Sequence, residues 1–119
     1  MKSLEVTQFE TPDEVVRSAD DKGISAIVRI GGGSIRRGVF QPGWRWSAHV
    51  GPALGKTACP IGHVGYVESG CMALRATDGV EVEVRAGSAY VAQPDHDAWV
   101  VGDEPCVTLD FAGMTQQFR

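Results

Sequence analysis

From Gly23 onward a turn signal interrupts this chain every seven to ten residues, and that rhythm restricts it to short strands. The breaks are Gly31-Gly32-Gly33, Gln41-Pro42-Gly43, Ser69-Gly70, Thr77-Asp78-Gly79, Ala86-Gly87, Gln93-Pro94-Asp95 and Gly102-Asp103-Glu104-Pro105. Between them lie alternating segments at 24–30, 34–40, 44–50, 63–68, 71–76, 80–84, 88–92, 96–101 and 106–111. Residues 80–84 alternate strictly between valine and glutamate after an Asp-Gly turn, the mark of a hairpin with one wet face. Residues 4–9 add a further alternating segment, giving nine or ten strands. One short N-terminal helix is expected through Arg17, opened by Thr11-Pro12 with acids in its first turn. Residues 51–62 are poor in strand formers and read as a loop, and the tail after Gly113 reads as loosely held. The predicted fold class is therefore all-β, a small antiparallel barrel or double-sheet jelly roll.

At 119 residues the chain fits a single domain over 1–119, with a core barrel at about 24–112. A net charge of −4 points away from nucleic acid and from anionic membranes as partners. No apolar run is long enough for a spanning helix, and Met1-Lys2-Ser3-Leu4-Glu5 lacks the apolar stretch of a signal peptide. A cytoplasmic location is the resulting expectation. Cys59, Cys71 and Cys106 are odd in number and show no CxxC spacing, so reduced thiols are expected rather than a disulfide framework. Cys71 and Cys106 sit within apolar strand patterns and read as core, whereas Cys59 lies in a loop beside Pro60. No nucleophile elbow, phosphate loop or dinucleotide-binding glycine pattern occurs.

Two blocks, His63-Val-Gly-Tyr-Val-Glu-Ser-Gly70 and Gly87-Ser-Ala-Tyr-Val-Ala-Gln-Pro-Asp95, together with Pro42-Gly43, resemble the cupin superfamily, specifically its small single-domain bacterial members. The first block is similar to the end of cupin motif 1 and the second to the start of motif 2. The resemblance implies a β-barrel around a cavity with a metal ion, but the usual ligand residues differ here. Counted back from Gly70, the slot of the family's Glu holds His63, and the two His slots hold Thr57 and Cys59. The final His slot of motif 2 holds Ala98, with His96 two residues earlier on the same face of its strand. In a second alignment His49, six residues after Gly43, takes the first His slot, and residues 50–62 become an insertion that brings Cys59 back to the site.

The candidate metal ligands are thus His63, His96, His49 and Cys59, a set suited to a divalent transition metal such as Zn, Fe or Ni. Candidate pocket residues are Tyr66, Arg45, Thr57 and Ala98; Arg45 shares strand parity with His49 and would meet a substrate carboxylate. Trp44, Trp46 and Tyr90 are further candidates for pocket walls, while Trp99 and Asp97 have the outward parity. The implied function is a metal-binding cupin acting on a small molecule by Lewis-acid isomerase or lyase chemistry, or as an oxygenase. The alternative is a non-catalytic ligand-binding or sensory cupin, with a structural metal or none. A homodimer is expected, through the N-terminal strands and the face carrying Trp99.

Overall fold

The structure is a computed structural model that describes residues 3–113; the expectation for the tail after Gly113 falls outside them. Among the described residues nine strands form two antiparallel sheets. They are β1 (Glu14–Arg17), β2 (Gly23–Ile30), β3 (Gly33–Phe40), β4 (His63–Ser69), β5 (Cys71–Ala76), β6 (Glu81–Arg85), β7 (Ala89–Ala92), β8 (His96–Val100) and β9 (Cys106–Ala112). The larger sheet runs β1-β2-β3-β9-β4-β7 and the smaller β6-β5-β8. Two four-residue helices, α1 (Trp46–His49) and α2 (Gly51–Leu54), lie between β3 and β4.

The turn residues act where the sequence places them. Gly70 joins β4 to β5 at φ +78, and a Cβ there would meet the Pro105 carbonyl oxygen, so glycine is required on two counts. Gly79 adopts φ +88 between β5 and β6, in the hairpin whose Glu81 and Glu83 are exposed. Between the sheets a core packs Phe40, Trp44, Trp46, Val67, Met72, Leu74, Val84, Ala98, Val100 and Cys106. Alternation carries this arrangement: His96, Ala98 and Val100 of β8 face inward, while Asp97 and Trp99 are half-buried on the other face.

Three local expectations change. Residues 14–17 form β1 instead of a helix, because Val15 and Val16 pair with Ala26 and Ser25 of β2 and β-branched residues suit a ladder. Residues 4–9 form no strand; Leu4 and Val6 are exposed and no neighbour pairs with them. Residues 44–50 turn into α1, and the first part of the expected loop becomes α2. The reason is tertiary. Asp97 of β8 accepts hydrogen bonds from the Ser47 amide (3.0 Å) and hydroxyl (2.7 Å), satisfying backbone at the start of α1. Pro52 then sits at the start of α2, where a missing N–H costs nothing.

Candidate metal centre

β4 starts, β7 ends and β8 starts at one end of the cavity, and that end carries the donor side chains. His63 opens β4 and pairs with Ala92 at the end of β7. The Gln93-Pro94-Asp95 turn, with Asp95 in left-handed conformation, leads to His96 at the head of β8. The loop after α2 is stitched onto this turn. The Cys59 amide donates to the His96 carbonyl (2.7 Å), and the Asp95 amide donates to the Cys59 carbonyl (2.7 Å). That single bridge brings Cys59 beside both imidazoles.

Cys59 Sγ, one nitrogen of His63 and one of His96 all lie within 4.8 Å of one another. Cys59 Sγ stands 3.5 Å from His63 Nε2. Tetrahedral coordination by thiolate and imidazole at ordinary bond lengths separates such atoms by about 3.6 Å. Both histidines are oriented from behind. His96 Nδ1 is 2.6 Å from the Gln93 carbonyl, and His63 Nδ1 is 3.5 Å from Asp110 Oδ2. A ring nitrogen donating to an oxygen leaves Nε2 as the free lone pair, the arrangement that surrounds imidazole ligands of metals. This buried Cys/His/His cluster fits a transition metal in both donor type and spacing.

Asp110 is the hub behind His63. Arg36 pairs with its Oδ2, with Nε at 3.1 Å, and the Tyr90 hydroxyl donates to its Oδ1 at 2.8 Å. Gly65 makes room, because a Cβ there would stand 2.6 Å from both Asp110 Oδ1 and the Tyr90 ring. Burial raises the Asp110 carboxyl, but His63 and Arg36 outweigh it and hold it at about 2. Burial likewise opposes charge on His63, yet Asp110 and Cys59 raise it to about 9. Burial pushes the Cys59 thiol up, and its hydrogen bonds with His63 and His96 reverse that, leaving it at about 6. His96 is raised, chiefly by Cys59. Tyr90 is raised by burial and by the Asp110 charge, so it stays a donor.

The cavity behind the cluster measures about 360 Å³. Its walls are mainly apolar, from Phe40, Trp44, Trp46, Met72, Leu74 and Ala98, and it reaches Val50 and Leu54. One polar strip, Arg36, Tyr90, Thr108 and Asp110, runs along the inner face of the larger sheet. Thr108 Oγ1 is the one buried side-chain polar atom without a partner among the described residues.

The structure brings together His63, His96 and Cys59, with Ala98 in the cavity wall. It places the other candidates elsewhere. His49 ends α1, where its Nδ1 accepts the Arg45 amide at 3.0 Å, and it does not line the cavity. The turn into α1 carries Arg45 outward, 4.2 Å over the Trp99 ring and paired with Asp97. Thr57 is exposed in the loop, and Tyr66 points from β4 to the outer face, 38% exposed. Asp110, Arg36 and Thr108 lie outside the candidate set drawn from the sequence, where Arg36 reads with Arg37 as a solvated basic pair. Their signal is parity: Thr108 and Asp110 are polar residues two apart in the otherwise apolar last strand, so they share a face.

A double-stranded β-helix of two antiparallel sheets, with donor side chains at one end of an internal cavity, is the cupin fold. Solved structures with this fold include three similar chains. One is an uncharacterized protein with a double-stranded β-helix domain from Klebsiella pneumoniae, at 19% identity and TM-score 0.60 over 93% of this chain and 90% of that one. Another is the Cupin_2 domain of an XRE family transcriptional regulator from Enterobacter cloacae, at 10% identity and TM-score 0.59 over 80% of this chain and 99% of that one. The third is AerE from Microcystis aeruginosa, at 17% identity and TM-score 0.62 over 89% of this chain; the match spans 47% of AerE. No protein-family model matches the sequence, and neither does any curated protein. No helix of the described residues is long and apolar enough to cross a membrane.

Proposed function

We propose that this chain is a metal-dependent cupin acting on a small molecule, with Cys59, His63 and His96 holding one divalent transition ion. The observation that carries the reading is the convergence of three donors in which each imidazole is tied to an oxygen through Nδ1. Three protein ligands are the number that catalytic sites use, whereas structural sites close with four. When bound, such an ion supplies Lewis acidity toward a carbonyl or enolate oxygen, or reactivity with dioxygen if it is iron. The chain itself does the rest. The tryptophan and leucine walls exclude water from the ligand body. Asp110 fixes the His63 ring and is in turn held by Arg36 and Tyr90. Thr108 adds a further polar residue to the cavity lining beside Asp110.

The second reading is a binding or sensory module without turnover. It is favoured by the commitment of Asp110 and Tyr90 to each other, which leaves neither as a ready general base. The Enterobacter cloacae domain named above, part of a transcriptional regulator, fits that reading. The protein as a cytoplasmic homodimer belongs to the same proposal.

Elemental analysis of the untagged protein tests the metal. Near-stoichiometric zinc, iron or nickel is expected in the wild type and in His49→Ala, and its loss in His63→Ala. Wild-type protein that takes up no metal even after reconstitution would sink the metal-dependent reading.

A further inference from the structure

Deepening that reading, we infer that the cavity selects a compact monocarboxylate with an apolar tail, and that Arg36 sets the charge preference. The argument is one of charge against mainly apolar walls. The cavity lining holds two side chains of fixed formal charge, Arg36 and Asp110, and these oppose each other. The metal brings two positive charges, and a thiolate bound to it returns one negative. His63 and His96 contribute none as neutral ligands. One positive charge is left over, and among the described residues no other acidic or basic side chain lines the cavity to balance it.

An unbalanced charge among apolar walls is costly, and a single exogenous anion removes it. A cation would double the excess. A dianion with its charges at both ends would bury one of them against Trp44, Trp46 and Leu74. A neutral isostere leaves the excess in place.

The polar strip shows where the head group belongs. Both hydrogen bonds of the Arg36 guanidinium among the described residues go to one oxygen, Asp110 Oδ2, although the group has five N–H donors. Thr108, 2% exposed, stands on the same strand face two residues from Asp110, next to the Tyr90 hydroxyl and without a well-formed hydrogen bond of its own. A buried hydroxyl of this kind is a loss until something bonds to it. The cluster, Arg36 and Thr108 together form the polar end, and the aromatic and aliphatic walls form the tail end. A volume of about 360 Å³ suits a small ligand and excludes a large one.

The test uses the cobalt(II)-loaded protein and four probes on one carbon skeleton: hexanoate, hexanamide, hexylamine and adipate. Binding is followed by the cobalt absorption spectrum and by tryptophan fluorescence, since Trp44 and Trp46 line the cavity. Hexanoate is expected to bind at least about tenfold more tightly than each of the others, a gap of about 1.4 kcal/mol. Arg36→Met should shrink the gap between hexanoate and hexanamide to within about threefold, or about 0.65 kcal/mol. Thr108→Val, a milder change, should weaken hexanoate while the preference for it over hexylamine persists. Cobalt uptake with equal binding of hexanoate and hexanamide by the wild type overturns this inference and leaves the metal site standing. So does an Arg36→Met protein that folds, takes up cobalt and keeps the full preference. Failure of the wild type to take up cobalt overturns the metal reading and this inference with it.

Discussion

His63 is held from both sides, by Asp110 at Nδ1 and by Cys59 at Nε2, and this governs how it handles a proton. Because its partners raise it to about 9, the metal-free chain carries a proton on His63 at neutral pH, while Cys59 at about 6 is already largely thiolate. A metal must displace the imidazole proton to bind. Affinity is therefore expected to climb between pH 7 and 9, by up to about tenfold per unit for each proton displaced, and to level off above that window. Calorimetry in buffers of different protonation enthalpy reads the proton count directly. A flat affinity over this window would mean that His63 is not a ligand. The fold follows the opposite sign. The His63–Asp110 pair stabilises the metal-free chain fully between the unfolded carboxyl and imidazole values, about 3.9 and 6.5; the contribution is lost as pH falls toward about 2 and as it rises through about 9. Residue type together with the cupin-like spacing points to His63, His96, His49 and Cys59, since those are donors a transition metal uses, and it does not separate His49 from the three that converge. Asp110 was less visible, because its role depends on which strand lies beside which.

At the scale of elements, the segment from Trp44 to Leu54 is where local pattern and outcome part. Trp46 and Val50 are spaced for either a strand or a helix, while Trp44 and Trp46 fit only the strand period of two, and a run this short does not decide between them. Asp97, on a strand far along the chain, decides it by accepting the Ser47 amide and hydroxyl and pairing with Arg45. Asp97→Ala should therefore cost roughly 1–2 kcal/mol, the usual range for losing a helix-start acceptor. Thermal unfolding should show this as a drop of several degrees in Tm. The same change is expected to leave metal stoichiometry intact, because the donors sit on β4, β8 and the loop that follows α2. An unchanged Tm would assign the start of α1 to something other than Asp97. β1 teaches the same lesson in reverse: Pro12 and the acids after it suit a helix start, but the edge of β2 offers Val15 and Val16 a ladder.

For the whole molecule, the outer face of the larger sheet carries an apolar patch that the inner cavity does not account for. Val91, Val64 and Phe111 stand opposite one another across β7, β4 and β9 and are 64%, 56% and 39% exposed. A patch of this kind beside an edge strand suits a second copy of the chain. Light scattering is expected to give a dimer, and Val64→Glu, in the middle of the patch, to give a monomer with its metal site unchanged. A wild-type monomer at tens of micromolar would remove the dimer from the picture. This face differs from the one expected from Trp99, whose ring is instead covered by Arg45.

Turn residues and alternation suffice to predict an all-β double sheet and the facing of its most regular strands, because both act between neighbours in the chain; Tyr66, expected in the pocket, faces outward. His96 and Ala98 facing inward, and Glu81 and Glu83 facing water, follow from a period of two. The donor set needed tertiary contact. Only the backbone bridge from Cys59 to His96 sets thiolate beside imidazole, and only the β3-β9-β4 order sets Arg36 and Gly65 opposite Asp110 with His63 two residues along β4. Those pairings join residues distant in the chain, and no local pattern states them. Packing two sheets around one cavity does.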